Sequence, residues 1–173
     1  NATTTVEGVE GLDGLPEGGA VEDLSLDYEG SGGRRDEETG SIDVRGEFSI
    51  AADGTLSPGF SYGQLTKTAT NNSSEQADVF QTQGFFVTLQ PDGGNRYTSG
   101  RDMLSEAIWR SGHDGPAWES HYYFQMMEPG ETREVSVLYV ISDEMLANPG
   151  FSFVYYGPED MPGLLAFRIR PLG

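Results

Sequence analysis

Apolar residues in this chain recur at every second position, in short runs closed by Gly, Pro, Asn or Asp. Ile42, Val44, Gly46, Phe48 and Ile50 alternate with Asp43, Arg45, Glu47 and Ser49. A period of two lays one set of side chains on one face of a strand, so residues 42–50 read as a half-buried strand. Phe85, Val87 and Leu89 alternate with Phe86, Thr88 and Gln90, and the Thr-rich stretch 62–70 fits a strand too. Four further runs follow, at 120–127, 133–141, 151–156 and 165–170. In the last, Leu165, Phe167 and Ile169 face one way and Arg168 and Arg170 the other. Asp53-Gly54, Ser57-Pro58-Gly59, Pro91-Asp92-Gly93-Gly94-Asn95 and Glu128-Pro129-Gly130-Glu131 supply the turns. Such spacing predicts an all-β chain of about seven to nine strands, a β-sandwich of immunoglobulin-like or jelly-roll type.

Two stretches break the pattern. Residues 100–110 are predicted as a helix: Ser99 caps it, Asp102 completes a capping box, and Met103, Leu104, Ala107 and Ile108 share a face. Residues 143–147 are predicted as one helical turn, capped by Ser142 and ended before Pro149.

Charge bears on the solvent and the partners. Asp and Glu number 28 against 10 Lys plus Arg, a net charge of −18, and Lys67 is the single lysine. A small soluble domain needs a net charge of only about 2 to 8. The surplus makes the compact state repel itself. Molar salt, with a Debye length of about 3 Å, screens that repulsion. The balance resembles that of halophilic, haloarchaeal-type proteins. It argues against nucleic acid and against anionic membrane surfaces. With no cysteine there are no disulfides and no thiolate metal sites. No apolar run approaches the roughly 18 residues of a membrane span, so no membrane insertion is expected.

Residues 1–40 hold 11 acids, two arginines and nine glycines, so half the net charge lies there. They read as an acidic, Gly-rich N-terminal arm ahead of a sandwich domain at 41–173. The arm is either a solvated tail or an extended connector. Thr3, Thr4, Thr5 and Val6 are β-prone and suited to pairing with another subunit. Residues 21–28 are a possible first strand, with Leu24, Leu26 and Tyr28 on one face. The chain starts at Asn1 and not at Met, and Asn1, Asn71 and Asn72 each begin an Asn-x-Ser/Thr sequon. These are candidate glycan acceptors in an exported protein.

From Tyr62 on, the order of signals is Thr68-Ala69-Thr70-Asn71-Asn72-Ser73, then Phe86-Val87-Thr88-Leu89-Gln90-Pro91-Asp92-Gly93-Gly94-Asn95-Arg96-Tyr97. Next come Glu128-Pro129-Gly130-Glu131-Thr132-Arg133-Glu134-Val135 and Phe151-Ser152-Phe153-Val154-Tyr155. Over residues 62–170 this resembles an immunoglobulin-like domain family of bacterial and archaeal surface lipoproteins. The resemblance implies a sandwich with no shared catalytic residues; the lipid-bearing Cys of a lipoprotein is absent. In size and strand count the chain is also similar to small acidic jelly-roll capsid proteins of haloarchaeal viruses.

Chemical sites are sparse. His113 beside Asp114 sits in a turn, His121 opens an aromatic strand, and no Gly-x-Ser-x-Gly elbow accompanies them. No catalytic residue and no cofactor is expected. Asp92 with Asn95, and Glu159 with Asp160, offer hard oxygen ligands for calcium, but neither matches a twelve-residue calcium loop. Tyr122 and Tyr123 point to opposite faces of their strand, as do Tyr155 and Tyr156, so those strands need cover on both faces. Tyr123 and Tyr155 are therefore candidate assembly or ligand residues. The expected function is a non-catalytic extracellular or cell-surface subunit that self-assembles into a filament or layer, its arm linking subunits. The alternatives are a virion capsid subunit, in contact with other virion proteins, and a monomeric carbohydrate or small-ligand module.

Overall fold

The computed structural model describes residues 2–26, 32–80, 85–88, 107–112, 124–148, 150–156 and 164–167. The chain is all-β. The central element is β5 (Phe60–Asn71), an antiparallel partner to β1 (Ala2–Leu12) on one side and β10 (Thr132–Ser142) on the other. A two-residue strand, β8 (Trp109–Arg110), pairs with the far edge of β10 and completes a four-stranded sheet in the order β1-β5-β10-β8.

Both faces of this sheet are covered. On one, Tyr62, Trp109, Leu138 and Val140 pack with Ile42, Val44, Phe48 and Ile50. Those four belong to a three-stranded meander of β2 (Gly33–Arg35), β3 (Ile42–Val44) and β4 (Phe48–Ile50). On the other, Val9, Leu65, Val135, Val137, Tyr139 and Ile141 pack with Met145, Phe151 and Phe153. Met145 lies on α1 (Asp143–Ala147), and the two phenylalanines on β11 (Phe151–Tyr156). β11 is the middle strand of a sheet with β7 (Phe85–Thr88) and β12 (Leu164–Phe167). A two-stranded sheet of β6 (Ala77–Phe80) and β9 (Phe124–Met127) adds a small cluster of Ala69, Val79 and Met127. With cover on both sides, β10 is buried without a break from Val137 to Ile141, as a doubly covered strand must be.

Twelve strands stand among the described residues where about seven to nine were expected. Part of the excess comes from residues 42–50, which form a hairpin and not one strand. Val44 pairs with Phe48, and Arg45 and Gly46 take positive φ values of 55° and 69° between them. The Asp43 carboxylate accepts the Gly46 N–H at 3.1 Å and steadies the turn. Left-handed backbone at two successive positions is the geometry of the tight hairpin turns, and glycine makes it cheap. Three intervening residues keep the parity, so Ile42, Val44, Phe48 and Ile50 all stay buried.

Residues 21–26 do not form the expected strand. Val21–Asp23 is a 3-10 turn, held by the Arg35 guanidinium on the Val21 carbonyl at 3.1 Å. Val21, Leu24 and Leu26 all enter the core beneath the meander. The helix expected at 100–110 fails at its described end. Trp109–Arg110 is a strand and the Ile108 N–H bonds to the Leu138 carbonyl, because the edge of β10 supplies a ladder there; residues 100–106 lie outside the described residues. The helical turn at 143–147 forms as expected, and the Ser142 hydroxyl accepts the Met145 N–H at 3.2 Å. It is the α-helix among the described residues.

Candidate functional site

Residues 2–12 do not form a free tail: they are a strand of the central sheet. Ala2 pairs with Asn71 and Leu12 with Tyr62, so β1 runs along nearly the whole of β5 of its own chain. The Thr-rich stretch needs a strand edge, and its own β5 provides one. Thr3, Thr4, Thr5 and Val6, expected to pair with another subunit, face Thr70, Ala69, Thr68 and Lys67. The Thr3 hydroxyl accepts from the Asn72 amide at 2.7 Å.

This pairing rests on little side-chain burial. Val9 is the one buried side chain of β1; Val6 and Leu12 are half-buried. Fully burying a valine contributes about 1.5–3 kcal/mol. The remaining hold is the ladder, at about 0.5–1.5 kcal/mol net per hydrogen bond. A bulge between Val6 and Gly8 leaves Glu7 as the extra residue, and its carboxylate accepts the Thr68 hydroxyl at 2.6 Å. Bulges and charges are common ways of blunting an edge. Among the described strands none pairs with the outer edge of β1. From Leu12 the chain continues through Asp13-Gly14-Leu15-Pro16-Glu17-Gly18-Gly19-Ala20, with Gly18 at φ 80°. Leu15 is half-buried against the core and anchors this connection.

Beneath the middle of β1 lies the least expected group in the molecule. Lys67 of β5 is 1% exposed, and its ammonium nitrogen has no hydrogen-bond partner among the described residues. It lies between Leu65 and Ala69 along the same face of β5, opposite Val6 on β1 and Val135 on β10. Burial pushes its pKa down to about 7, and the Arg110 charge adds to the effect. Arg110 is itself buried, on β8, and its Nη1 donates to the Gln125 side-chain oxygen on β9 at 3.5 Å. Acids sit elsewhere: every described Asp and Glu is exposed except Glu131, which is half-buried and bonded to Arg133 at 2.5 Å.

The sequon residues part company. Asn71 is fully buried, its amide donating to the Met127 carbonyl at 2.9 Å and the Glu75 carbonyl at 3.0 Å. Its carbonyl oxygen accepts the Ser73 N–H and hydroxyl. A glycan would replace one of those donated N–H groups and has no room, so the folded chain excludes Asn71 as an acceptor. Asn72 is exposed. Tyr155 stands on β11, paired with Leu165. Asn1, Asp92, Asn95, His113, Asp114, His121, Tyr122, Tyr123, Glu159 and Asp160 lie outside the described residues, and Tyr156 is placed only by its backbone on β11. No cluster of three potential metal ligands occurs among the described residues. Comparison with family models, with curated proteins and with solved structures found no match to this chain.

Proposed function

We propose that this protein is a non-catalytic structural subunit that assembles with copies of itself by exchanging β1, at the surface of a cell living in high salt. One observation carries the reading: an eleven-residue edge strand contributes a single buried side chain and hangs on a Gly- and Pro-rich connection. The groove it fills along β5 accepts the same strand from another copy in the same register, with the same hydrogen bonds. Exchange therefore costs little beyond the entropy of association, and repeated exchange gives a chain of subunits. The acidic face of the arm adds a salt requirement. Glu7, Glu10, Asp13 and Glu17 are exposed along it, and bringing two such arms together needs screening ions. Low salt is expected to take the assembly apart.

The chain has no cysteine, so a designed pair reads the partner of β1 without background. Thr5 and Thr68 face each other across β1 and β5. The double variant Thr5→Cys, Thr68→Cys is oxidised at high protein concentration in molar salt and run on a non-reducing gel. Exchange predicts a ladder of covalently linked multimers that reducing agent collapses. Polymers whose crosslinks stay within single chains would remove β1 as the connector. A strictly monomeric protein under those conditions would end the assembly reading altogether.

A further inference from the structure

We propose that Lys67, flanked by Arg110, lines a buried site for a small monovalent anion of the chloride class, set between the central sheet and the layers of β6–β9 and β11. The first ground is the bare donor set. A lysine ammonium carries three N–H donors and no acceptor, and this one is closed off from solvent with none of them used among the described residues. Leaving a buried charge unpaired is among the costliest arrangements a protein can hold.

Place adds to the case. Lys67 sits on the face shared with Leu65 and Ala69, between the apolar cluster around Tyr139 and Phe153 and the one around Val79 and Met127. Arg110 pairs through its backbone with Val137, which puts its side chain on that same face one strand beyond β10. A guanidinium stays charged at every pH that leaves the protein folded. Lys67 and Arg110 thus share one buried face, while every described carboxylate is exposed except that of Glu131, which is half-buried and bonded to Arg133. A single small anion satisfies the lysine donors and balances the lysine charge. A monovalent ion fits better than sulfate or a phosphate ester, which demand more donors than the Lys67 ammonium supplies. The rest of the molecule makes such a site selective. A net charge of −18 keeps anions off the surface, and Lys67 is the only lysine available to hold one.

The test uses the full chain, with sodium chloride as the probe, at constant sodium concentration and with gluconate as the replacing anion. Chloride-35 NMR linewidth in excess of buffer is expected for the wild type. It should fall to the buffer level in Lys67→Met and in Lys67→Gln, each checked for folding by circular dichroism. The denaturation midpoint should rise with chloride in the wild type and lose that rise in both variants. An excess linewidth or a chloride-dependent midpoint that survives in a folded variant overturns the site. So does a wild type indifferent to the exchange of chloride for gluconate. Should neither variant fold, crystals of the wild type grown in sodium bromide decide. An anomalous peak within hydrogen-bond reach of the Lys67 ammonium supports the site, and peaks confined to exposed arginines refute it.

Discussion

β1 and β10 are the same length, flank the same strand and pair with it over almost the same residues. They differ in what their side chains do. β10 is continuously buried from Val137 to Ile141, between the meander on one face and α1 with β11 on the other. β1 buries only Val9. A hydrogen-bonded ladder is generic, since any strand of suitable register satisfies it. Side-chain packing is particular to one partner. The contrast separates a strand that defines the fold from one that merely completes it, and the second kind is the one a polymer can share.

The largest effect should come from β10. Leu138→Ala opens a cavity under Tyr62 and Trp109 and is expected to cost about 2–5 kcal/mol in urea unfolding. A cost no greater than that of a β1 substitution would erase the contrast.

The pH response of Lys67, which lies between the two strands, comes next. Its folded pKa, about 7, is below its unfolded value of 10.5, so the unfolded chain binds more protons between those limits. In chloride-free buffer stability should therefore rise from about pH 7 to about 10.5, by at most about 1.4 kcal/mol per unit. Lys67→Met should flatten that rise. Arg110 keeps its charge throughout and contributes no slope. Tyr139 lies on the same face, and Glu131 and Arg133 lie further along it, opposite the Asn71 end of β5; the Lys67→Met difference removes their share.

Gly63→Ala probes both strands at once. A β-carbon there would clash with Ile141 Cδ1 of β10 and touch Val9 Cγ1 of β1 at 3.7 Å. The crowding falls on the packed side, with an expected loss of about 1–3 kcal/mol. Combining it with Ile141→Val should recover part of that loss. The smallest effect belongs to β1: Val9→Ala removes two methyl groups, for about 1–2 kcal/mol. It should also raise the yield of crosslinked multimers in the Thr5–Thr68 double-cysteine variant, because a looser strand exchanges faster.

Two of the three long strands are legible in the sequence, while β1, as long as β10, reads there as an arm. β5 and β10 show alternation or continuous apolar character over many residues, and the Ser142 cap announces α1. The hairpin at 42–50 was hidden by parity: a loop of three residues leaves the two-residue period unbroken, and only Gly46 hinted at a turn. Residues 107–110 carry a face that suits a helix, yet the open edge of β10 offers hydrogen bonds a helix there would forgo. Leu24 and Leu26 share a face in the two-residue period, which suits a strand; nothing in that spacing says that the segment enters the core as a turn. Lys67 was the hardest to foresee. It sits in a run of threonines where a lysine reads as solvated, and only its being the chain's single lysine sets it apart. The burial of Asn71 was equally silent, because a sequon looks the same on either side of a surface.

The placing of β5 has a consequence for how the chain is made. Its partners lie far off along the polypeptide: Ala2 meets Asn71, and Thr70 meets Thr132. Folds dominated by such distant pairings form slowly, in about milliseconds to seconds. On the ribosome β1 and β5 are complete well before β10 emerges. For that interval the edge of β5 that β10 will occupy stands open. A second nascent chain that meets it in that interval finds no strand of the chain's own in the way, so synthesis itself is the moment at which copies of this protein are most exposed to one another.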